Sequence, residues 1–133
     1  MDCLFCKIIA GEIPCHKMYE DEKTFAFLDI GPVSEGHTLV VPKAHATNLN
    51  EGTREDAVAV MATVHAIAPA IMRGLGASGY NLGMNHGLSA GQDVMHTHVH
   101  IMPRKDGVER TFVKTHPSQD ELKAVADKIR AAM

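Results

Sequence analysis

The residues best suited to chemistry lie in one short run near residue 100. His96, His98 and His100 occupy alternate positions, with threonine, valine and isoleucine between and after them. Because successive side chains of a strand point to opposite faces, this spacing predicts three imidazoles on one exposed face and an apolar row on the other. Imidazoles placed in this way can coordinate a metal, bind phosphate or carry protons near neutral pH.

Two other interpretations of this run need no function. The histidines could form a solvated polar face, or they could belong to a purification tag. The run is internal and interleaved with apolar residues, which argues against a tag. Three adjacent imidazoles on a surface add nothing to stability, so we expect a functional role.

A second candidate is the pair Cys3 and Cys6 near the N-terminus. A Cys-x-x-Cys spacing is compatible with metal binding, with redox chemistry, or with two buried free thiols. Here the pair lies on a predicted short helix rather than after a strand, which disfavours a thioredoxin-like redox motif. The total of three cysteines is odd and argues against a disulfide framework.

Composition predicts one domain over residues 1–133, with 45% hydrophobic and 22% charged residues. The net charge of −3 gives no basic field for nucleic acid or an anionic membrane, so neither partner is expected. No apolar run approaches the length of a membrane span, and the N-terminus lacks the pattern of a secretory signal. We therefore expect a cytoplasmic protein.

The elements that must position the candidates alternate between β-rich runs and helical patterns. Strands are predicted at residues 15–20, 24–29, 37–41, 79–85 and 95–103. Helices are predicted at residues 3–10, 53–75 and 118–132, the second kinked at Pro69 and the third opened by a capping box at Ser118. Residues 86–93 form a glycine-bearing loop. The pattern predicts an α+β fold: a five-stranded, mostly antiparallel sheet with one long helix and short terminal helices.

The histidine run resembles the signature of the histidine triad family, His-x-His-x-His followed by two apolar residues. Further stretches match the family in order and spacing, at residues 5–14, 27–30, 36–43, 90–92 and 103–104. The resemblance covers residues 3–104, and the segment after Asp106 adds no motif beyond the helix at 118–132.

The resemblance implies cleavage of nucleotides at the α-phosphorus through a covalent nucleotidyl-histidine. His98 corresponds to the nucleophile, and a backbone carbonyl is expected to hold its other ring nitrogen protonated. His100 corresponds to the histidine that contacts the phosphate, and His37 to the one across from it. Asp29 corresponds to the ribose-binding carboxylate, although an Asp before a Gly-Pro break is also a common turn residue.

Further positions of the resemblance outline a purine and phosphate site. Apolar residues that line the purine pocket, or else belong to the core, are Phe5, Ile8, Phe27, Ile30 and Leu39. Asn85 matches a polar position near the phosphates, and Gly91 and Gln92 match positions where backbone amides approach an anion. Asp93 departs from the pattern, since many relatives have Ser or Thr there and a carboxylate would repel a phosphate.

The resemblance also suggests a use for the cysteine pair. Many microbial relatives carry such a pair together with two histidines, which here are His45 and His96. Two thiolates and two imidazoles make a closed tetrahedral site, so the expected cofactor is a structural zinc held by Cys3, Cys6, His45 and His96.

The expected function is that of a purine nucleotide hydrolase or transferase, closest to the nucleoside phosphoramidase branch. A dinucleoside polyphosphate hydrolase and a nucleotide-binding scaffold with weak activity are the alternatives. Relatives pair through the long helix and an adjoining strand edge, and the predicted helix at 53–75 is apolar on more than one face. We therefore expect a homodimer.

Overall fold

The computed structural model describes residues 2–133, so Met1 of the predicted domain lies outside the described residues. The described chain folds into five strands and three α-helices, with a single 3₁₀ turn at Leu88–Ala90. The strands are β1 (Lys17–Glu20), β2 (Thr24–Leu28), β3 (Thr38–Pro42), β4 (Gly79–Gly83) and β5 (Val99–Arg104). The helices are α1 (Leu4–Ile9), α2 (Arg54–Leu75) and α3 (Gln119–Ala131). The predicted fold class is confirmed.

One sheet carries all five strands, in the order β1-β2-β3-β5-β4, and every neighbouring pair is antiparallel. The long helix α2 separates β3 from β4 in sequence, which lets β5 enter between them. The histidine-bearing strand β5 is therefore an interior strand between β3 and β4, and β4 lies at an edge. An interior position fixes the backbone of β5 from both sides and gives its side chains a rigid base.

Both faces of the sheet are covered, which explains why all five residues of β2 are buried. Ala26 and Leu28 point into a core shared with α2 and α3. Phe25 and Phe27 point to the opposite face and pack in a second cluster with α1. Side chains thus alternate with the period of two of a strand, and the short helix α1 covers the face that carries the site.

Helix α2 begins after the predicted capping residue Thr53 and ends at Leu75, as predicted. The Thr53 side chain accepts from the Asp56 amide, and Gly76 adopts φ +67° at the C-terminus. Pro69 lies inside the helix without ending it. By length and hydropathy this helix could cross a membrane, contrary to the sequence expectation. Its packing explains the composition, because Val64 and Ile71 belong to the core beside the sheet.

Helix α3 confirms the predicted capping box. Ser118 accepts from the Glu121 amide, and the Glu121 carboxylate accepts from the Ser118 amide. The helix then packs Leu122, Ala126 and Ile129 into the core beside α2. This contact fixes the end of the segment that returns from β5 across the site.

The histidine strand is shorter than predicted at its start. It begins at Val99 rather than Met95, so only His100 of the three histidines lies within a paired strand. The reason lies in β3, whose pairing with β5 ends at Val40 and Val99. Beyond that point the Thr97 amide donates to the carbonyl of Ala46, outside the sheet. The histidine face is also buried rather than exposed, because α1 covers it.

Candidate active site and metal centre

His98 lies under α1 with only 3% of its surface exposed. Its Nδ1 lies 2.7 Å from the carbonyl oxygen of His96, which can only accept, so Nδ1 carries the proton. The neutral ring therefore has an unprotonated Nε2, which lies 3.9 Å from Oδ1 of Asp93. Phe5 packs edge-on against the ring with centroids 5.1 Å apart. His98 is thus oriented as a nucleophile with its lone pair on the site side.

A second chain of hydrogen bonds fixes the proton on His100. The Val33 amide donates to Nδ1 of His37, which leaves the proton of neutral His37 on Nε2. That Nε2 lies 2.8 Å from Nδ1 of His100 and donates to it. Neutral His100 consequently carries its own proton on Nε2. A donor held in this way can stabilise charge on a phosphoryl oxygen, and His37 acts by orienting it.

Burial keeps this pair of rings neutral. Burial lowers the pKa of His37 to about 4, against an opposing effect of the nearby Asp29 carboxylate. Burial also lowers the pKa of His100, and a positive charge on His98 would lower it further. Asp29, His37 and His100 bring one possible ligand atom each within 4.8 Å of one another, but the hydrogen bond between the two rings accounts for this proximity.

We expect acid to destabilise the fold between about pH 6.5 and pH 4 through His37. The unfolded chain takes up a proton there near pH 6.5, whereas folded His37 takes it up only near pH 4. The stabilisation is complete above this window and is lost as the pH falls, with a slope of up to about 1.4 kcal/mol per pH unit. Denaturant unfolding at several pH values measures it.

The matched variants for that measurement are His37→Asn and His116→Asn. His116 is exposed in the segment before α3. The His37 variant should show a shallower pH dependence, and the His116 variant should follow the unsubstituted protein. Equal slopes in all three proteins would contradict the assigned role of His37.

Asp29 stands at the end of β2 beside this pair. Its Oδ1 accepts from the Gly31 amide at 2.8 Å, and its Oδ2 lies 3.6 Å from Nε2 of His37. Oδ1 therefore closes the predicted turn, and Oδ2 remains available to a ribose hydroxyl. Ile30 is 69% exposed at the rim. The other apolar candidates are buried in the cluster under α1: Phe5, Ile8, Phe27 and Leu39.

The loop before the histidine run is held by Gln92. Its side chain is buried, accepts from the Gly87 amide and donates to the carbonyls of Thr47 and Val94. Gln92 is thus a structural clamp whose amide group is fully engaged. Gly91 adopts φ +91°, a conformation that favours glycine, and its carbonyl accepts from Asn85. Asn85 and the Gly91 backbone remain exposed at the site.

Four predicted metal ligands from three distant segments converge on one point. The distances from the Cys3 and Cys6 sulfurs to Nδ1 of His96 are 3.4 and 3.6 Å. The Cys6 sulfur lies 3.4 Å from Nδ1 of His45, and the two Nδ1 atoms lie 3.2 Å apart. Ligand atoms around a tetrahedral zinc lie about 3.3–3.8 Å apart, given bonds of about 2.3 Å to sulfur and 2.0–2.1 Å to nitrogen. The cluster fits zinc.

The surroundings of the cluster also suit a metal. Nε2 of His96 donates to the carbonyl of Pro42 at 2.8 Å, which leaves Nδ1 unprotonated toward the two sulfurs. Burial and the neighbouring Cys3 thiol raise the pKa of Cys6 to about 11. A bound dication would supply the positive charge that two adjacent thiolates need.

Sequence reasoning missed three contributors to the site. Val33 supplies the amide that sets the tautomer of His37, and Pro42 supplies the carbonyl that orients His96. Lys114 lies 3.4 Å from Oδ2 of Asp93. Backbone donors and acceptors leave no mark in residue type, and Lys114 lies in a segment without a motif.

Comparison with known proteins agrees with this geometry. A family model described as the HIT domain matches residues 10–107. The chain belongs to the histidine triad family. The match ends before α3, which the family model does not cover.

Histidine triad relatives with named activities include two proteins of eukaryotes. An adenylylsulfatase of Arabidopsis thaliana is 46% identical over 79% of this chain, which spans 53% of that relative. An adenosine 5′-monophosphoramidase of Schizosaccharomyces pombe is 39% identical over 97% of this chain and 96% of its own length. A zinc-bound histidine triad protein of Mycobacterium smegmatis has a TM-score of 0.89 and 38% identity, covering 99% of this chain and 93% of its own.

Proposed function

We propose that this histidine triad protein cleaves purine nucleoside 5′-monophosphate esters or phosphoramidates at the α-phosphorus through a nucleotide linked to His98. The observation that carries the proposal is the hydrogen bond from Nδ1 of His98 to the His96 carbonyl. It presents an unprotonated Nε2, and a second neutral imidazole stands beside it with ring centroids 5.0 Å apart. The activities named for two relatives support hydrolysis of adenylyl compounds.

The proposed reaction proceeds in two displacements at phosphorus. Nε2 of His98 attacks the α-phosphorus, and the bond to the leaving group breaks with its electron pair on the departing atom. Water then attacks the phosphorus of the nucleotidyl-histidine and loses one proton to solvent. The bond from phosphorus to Nε2 breaks with its electron pair on Nε2, which releases the nucleoside monophosphate. His100 donates to a phosphoryl oxygen in both steps, and Asp29 accepts from the ribose.

Comparative turnover tests the proposal and separates its alternatives. The substrates are adenosine 5′-phosphoramidate, adenosine 5′-phosphosulfate and a diadenosine polyphosphate. We expect AMP from the first two, with a rapid initial release of leaving group no larger than one per chain. Faster cleavage of the polyphosphate would favour the alternative hydrolase. Saturable AMP binding without turnover of any substrate would identify a nucleotide-binding scaffold and reject the proposal.

We also propose a structural zinc at Cys3, Cys6, His45 and His96. All four tetrahedral positions are filled by protein, so the metal would have no open position for substrate. Its chemistry would be to hold two thiolates together and tie α1 to the segment before β5. Because α1 supplies Phe5, which packs against His98, this tie would hold the nucleophile's surroundings in place.

A homodimer through α2 and the β4 edge is the proposed assembly. Val58 and Met61 of α2 are 61% and 48% exposed, and Leu82 of edge strand β4 is 43% exposed. Between the helix and the sheet lies an apolar groove of about 370 Å³. A second copy related by a two-fold axis would cover this groove and the open edge together.

Light scattering at micromolar concentration checks the assembly. We expect about twice the chain mass of 14.4 kDa. Leu82→Lys should lower the measured mass toward that of one chain, because it places a charge in the interface. Lys123→Gln, on the exposed face of α3, should leave the mass unchanged. A fully active protein at 14.4 kDa would contradict the proposed dimer.

A further inference from the structure

The segment between β5 and α3 is anchored across the site at two points. Arg104, the last residue of β5, donates from its guanidinium to the carbonyl of Thr111 at 2.8 Å. Four residues later, the amide and hydroxyl of Thr115 both donate to the carbonyl of Pro32, at 3.0 and 2.7 Å. The backbone between these anchors is therefore held beside the loop that follows β2. Lys114 lies within this anchored stretch.

Lys114 reaches from that stretch to the nucleophile's neighbour. Its Nζ lies 3.4 Å from Oδ2 of Asp93, whose Oδ1 lies 3.9 Å from Nε2 of His98. Its aliphatic stem passes Gly31, where an added methyl group would lie 3.6 Å from the Lys114 Cδ and 3.7 Å from Asp29 Oδ1. Lys114 thus passes between the ribose-side carboxylate and the carboxylate beside the nucleophile. The Lys114 side chain is 63% exposed, so its ammonium group can move from Asp93 to a bound anion without disturbing the fold.

Lys114 places a positive charge in a site that otherwise carries negative charge. Nucleotide substrates are anionic, yet the site carries the carboxylates of Asp29 and Asp93, and burial keeps His37 and His100 neutral. Burial raises the pKa of Asp93, but its own backbone amide and the charge of Lys114 lower it overall, so the carboxylate stays ionised. Among residues 2–133, Lys114 is the one lysine or arginine that forms an ion pair with Asp93. Without it, an uncompensated negative charge would face the phosphorus.

We propose that Lys114 is a specificity-determining residue that binds the oxygens of an oxyanion leaving group, either sulfate or phosphate. This inference rests on the proposed function of His98. As the bond from Nε2 to phosphorus forms, the bond from phosphorus to the leaving oxygen breaks, and the electron pair stays on that oxygen. The ammonium group of Lys114 then stabilises the new negative charge. Sulfate leaves as its dianion without a proton, and phosphate leaves as the monohydrogen dianion, keeping one proton that its terminal phosphoryl group already carries. An amine leaving group develops no such charge after protonation and gains nothing from Lys114.

The test compares Lys114→Gln with Lys123→Gln, which removes a lysine of similar exposure, 66%, from an ion pair on α3. The readout is the ratio of kcat/KM for adenosine 5′-phosphosulfate to that for adenosine 5′-phosphoramidate. We expect Lys114→Gln to lower this ratio about tenfold, the effect of losing one charge-assisted hydrogen bond. Lys114→Arg should retain most of the ratio, and Lys123→Gln should leave it unchanged.

Adenosine 5′-diphosphate distinguishes the two oxyanions, since it offers phosphate in place of sulfate. If Lys114→Gln lowers the relative kcat/KM for the phosphosulfate alone, the leaving group that Lys114 binds is sulfate. If it lowers the relative kcat/KM equally for the phosphosulfate and the diphosphate, Lys114 binds either oxyanion. An unchanged ratio in Lys114→Gln, while the unsubstituted protein turns over both reference substrates, overturns this inference alone. No turnover of any substrate by the unsubstituted protein overturns the proposed function instead.

Discussion

Replacing His98 by alanine is expected to abolish turnover, with kcat falling by about 10⁴-fold or more. Both displacements pass through Nε2, and no other unprotonated ring nitrogen is placed to substitute for it: His100 keeps its proton on Nε2, and both nitrogens of His37 are engaged. AMP affinity should change little, because Asp29 and the loop at Gly91 are untouched. Steady-state kinetics and calorimetric titration with AMP measure the two effects separately.

Matched variants keep this prediction interpretable. His98 is buried against Phe5, so alanine leaves a cavity, and His98→Gln retains more volume without an equivalent nucleophile. Both variants should lose turnover while binding AMP. Lys123→Gln, on the exposed face of α3, should behave like the unsubstituted protein. Near-normal turnover in either His98 variant would reject the covalent mechanism.

Loss of the proposed zinc is expected to have the largest effect on stability. Cys6→Ser should lower the melting temperature by on the order of 10 °C, since a few kcal/mol of metal binding is lost from a chain of this size. The turnover rate per folded molecule of Cys6→Ser should fall less than that of the His98 variants. Metal analysis should find about one zinc per chain in the unsubstituted protein and much less in the variant.

The third cysteine supplies the control. Cys15 is a partly buried free thiol outside the four-ligand cluster, so Cys15→Ser should leave the zinc content unchanged. A chelator should lower the melting temperature of the unsubstituted protein toward that of Cys6→Ser. The zinc proposal would be contradicted if the unsubstituted protein were isolated without bound metal and melted at the same temperature with and without chelator.

Local chemistry explains which parts of the fold could be predicted. Thr53 and Ser118 marked the starts of α2 and α3 because their side chains cap orphan backbone amides. The start of β5 could not be read in the same way. Its pairing with β3 ends at Val40, although β3 itself continues to Pro42, and that limit depends on a partner about sixty residues away. The prediction that no apolar run approaches the length of a membrane span was also wrong, because a buried core helix such as α2 shares its length and composition with a membrane span.

The same distinction applies to the site: residue types and spacing predict some of its features, and others depend on tertiary contacts. Residue types and spacing pointed to His96, His98 and His100, and the family resemblance added His37, Asp29 and the proposed zinc ligands. What the sequence did not reveal was the tautomers, because they depend on carbonyls and amides such as those of Val33 and Pro42. The burial of the histidine face also followed from packing with α1, rather than from the alternation itself.

The most direct measurement is the mass of the protein after brief incubation with adenosine 5′-phosphosulfate or the phosphoramidate, quenched without acid. The proposed mechanism predicts a gain of one adenylyl group per chain, located by fragmentation on His98 and absent from His98→Gln. The adduct should decay as AMP appears. Turnover without any adduct, or an adduct on another residue that survives in His98→Gln, would contradict the account.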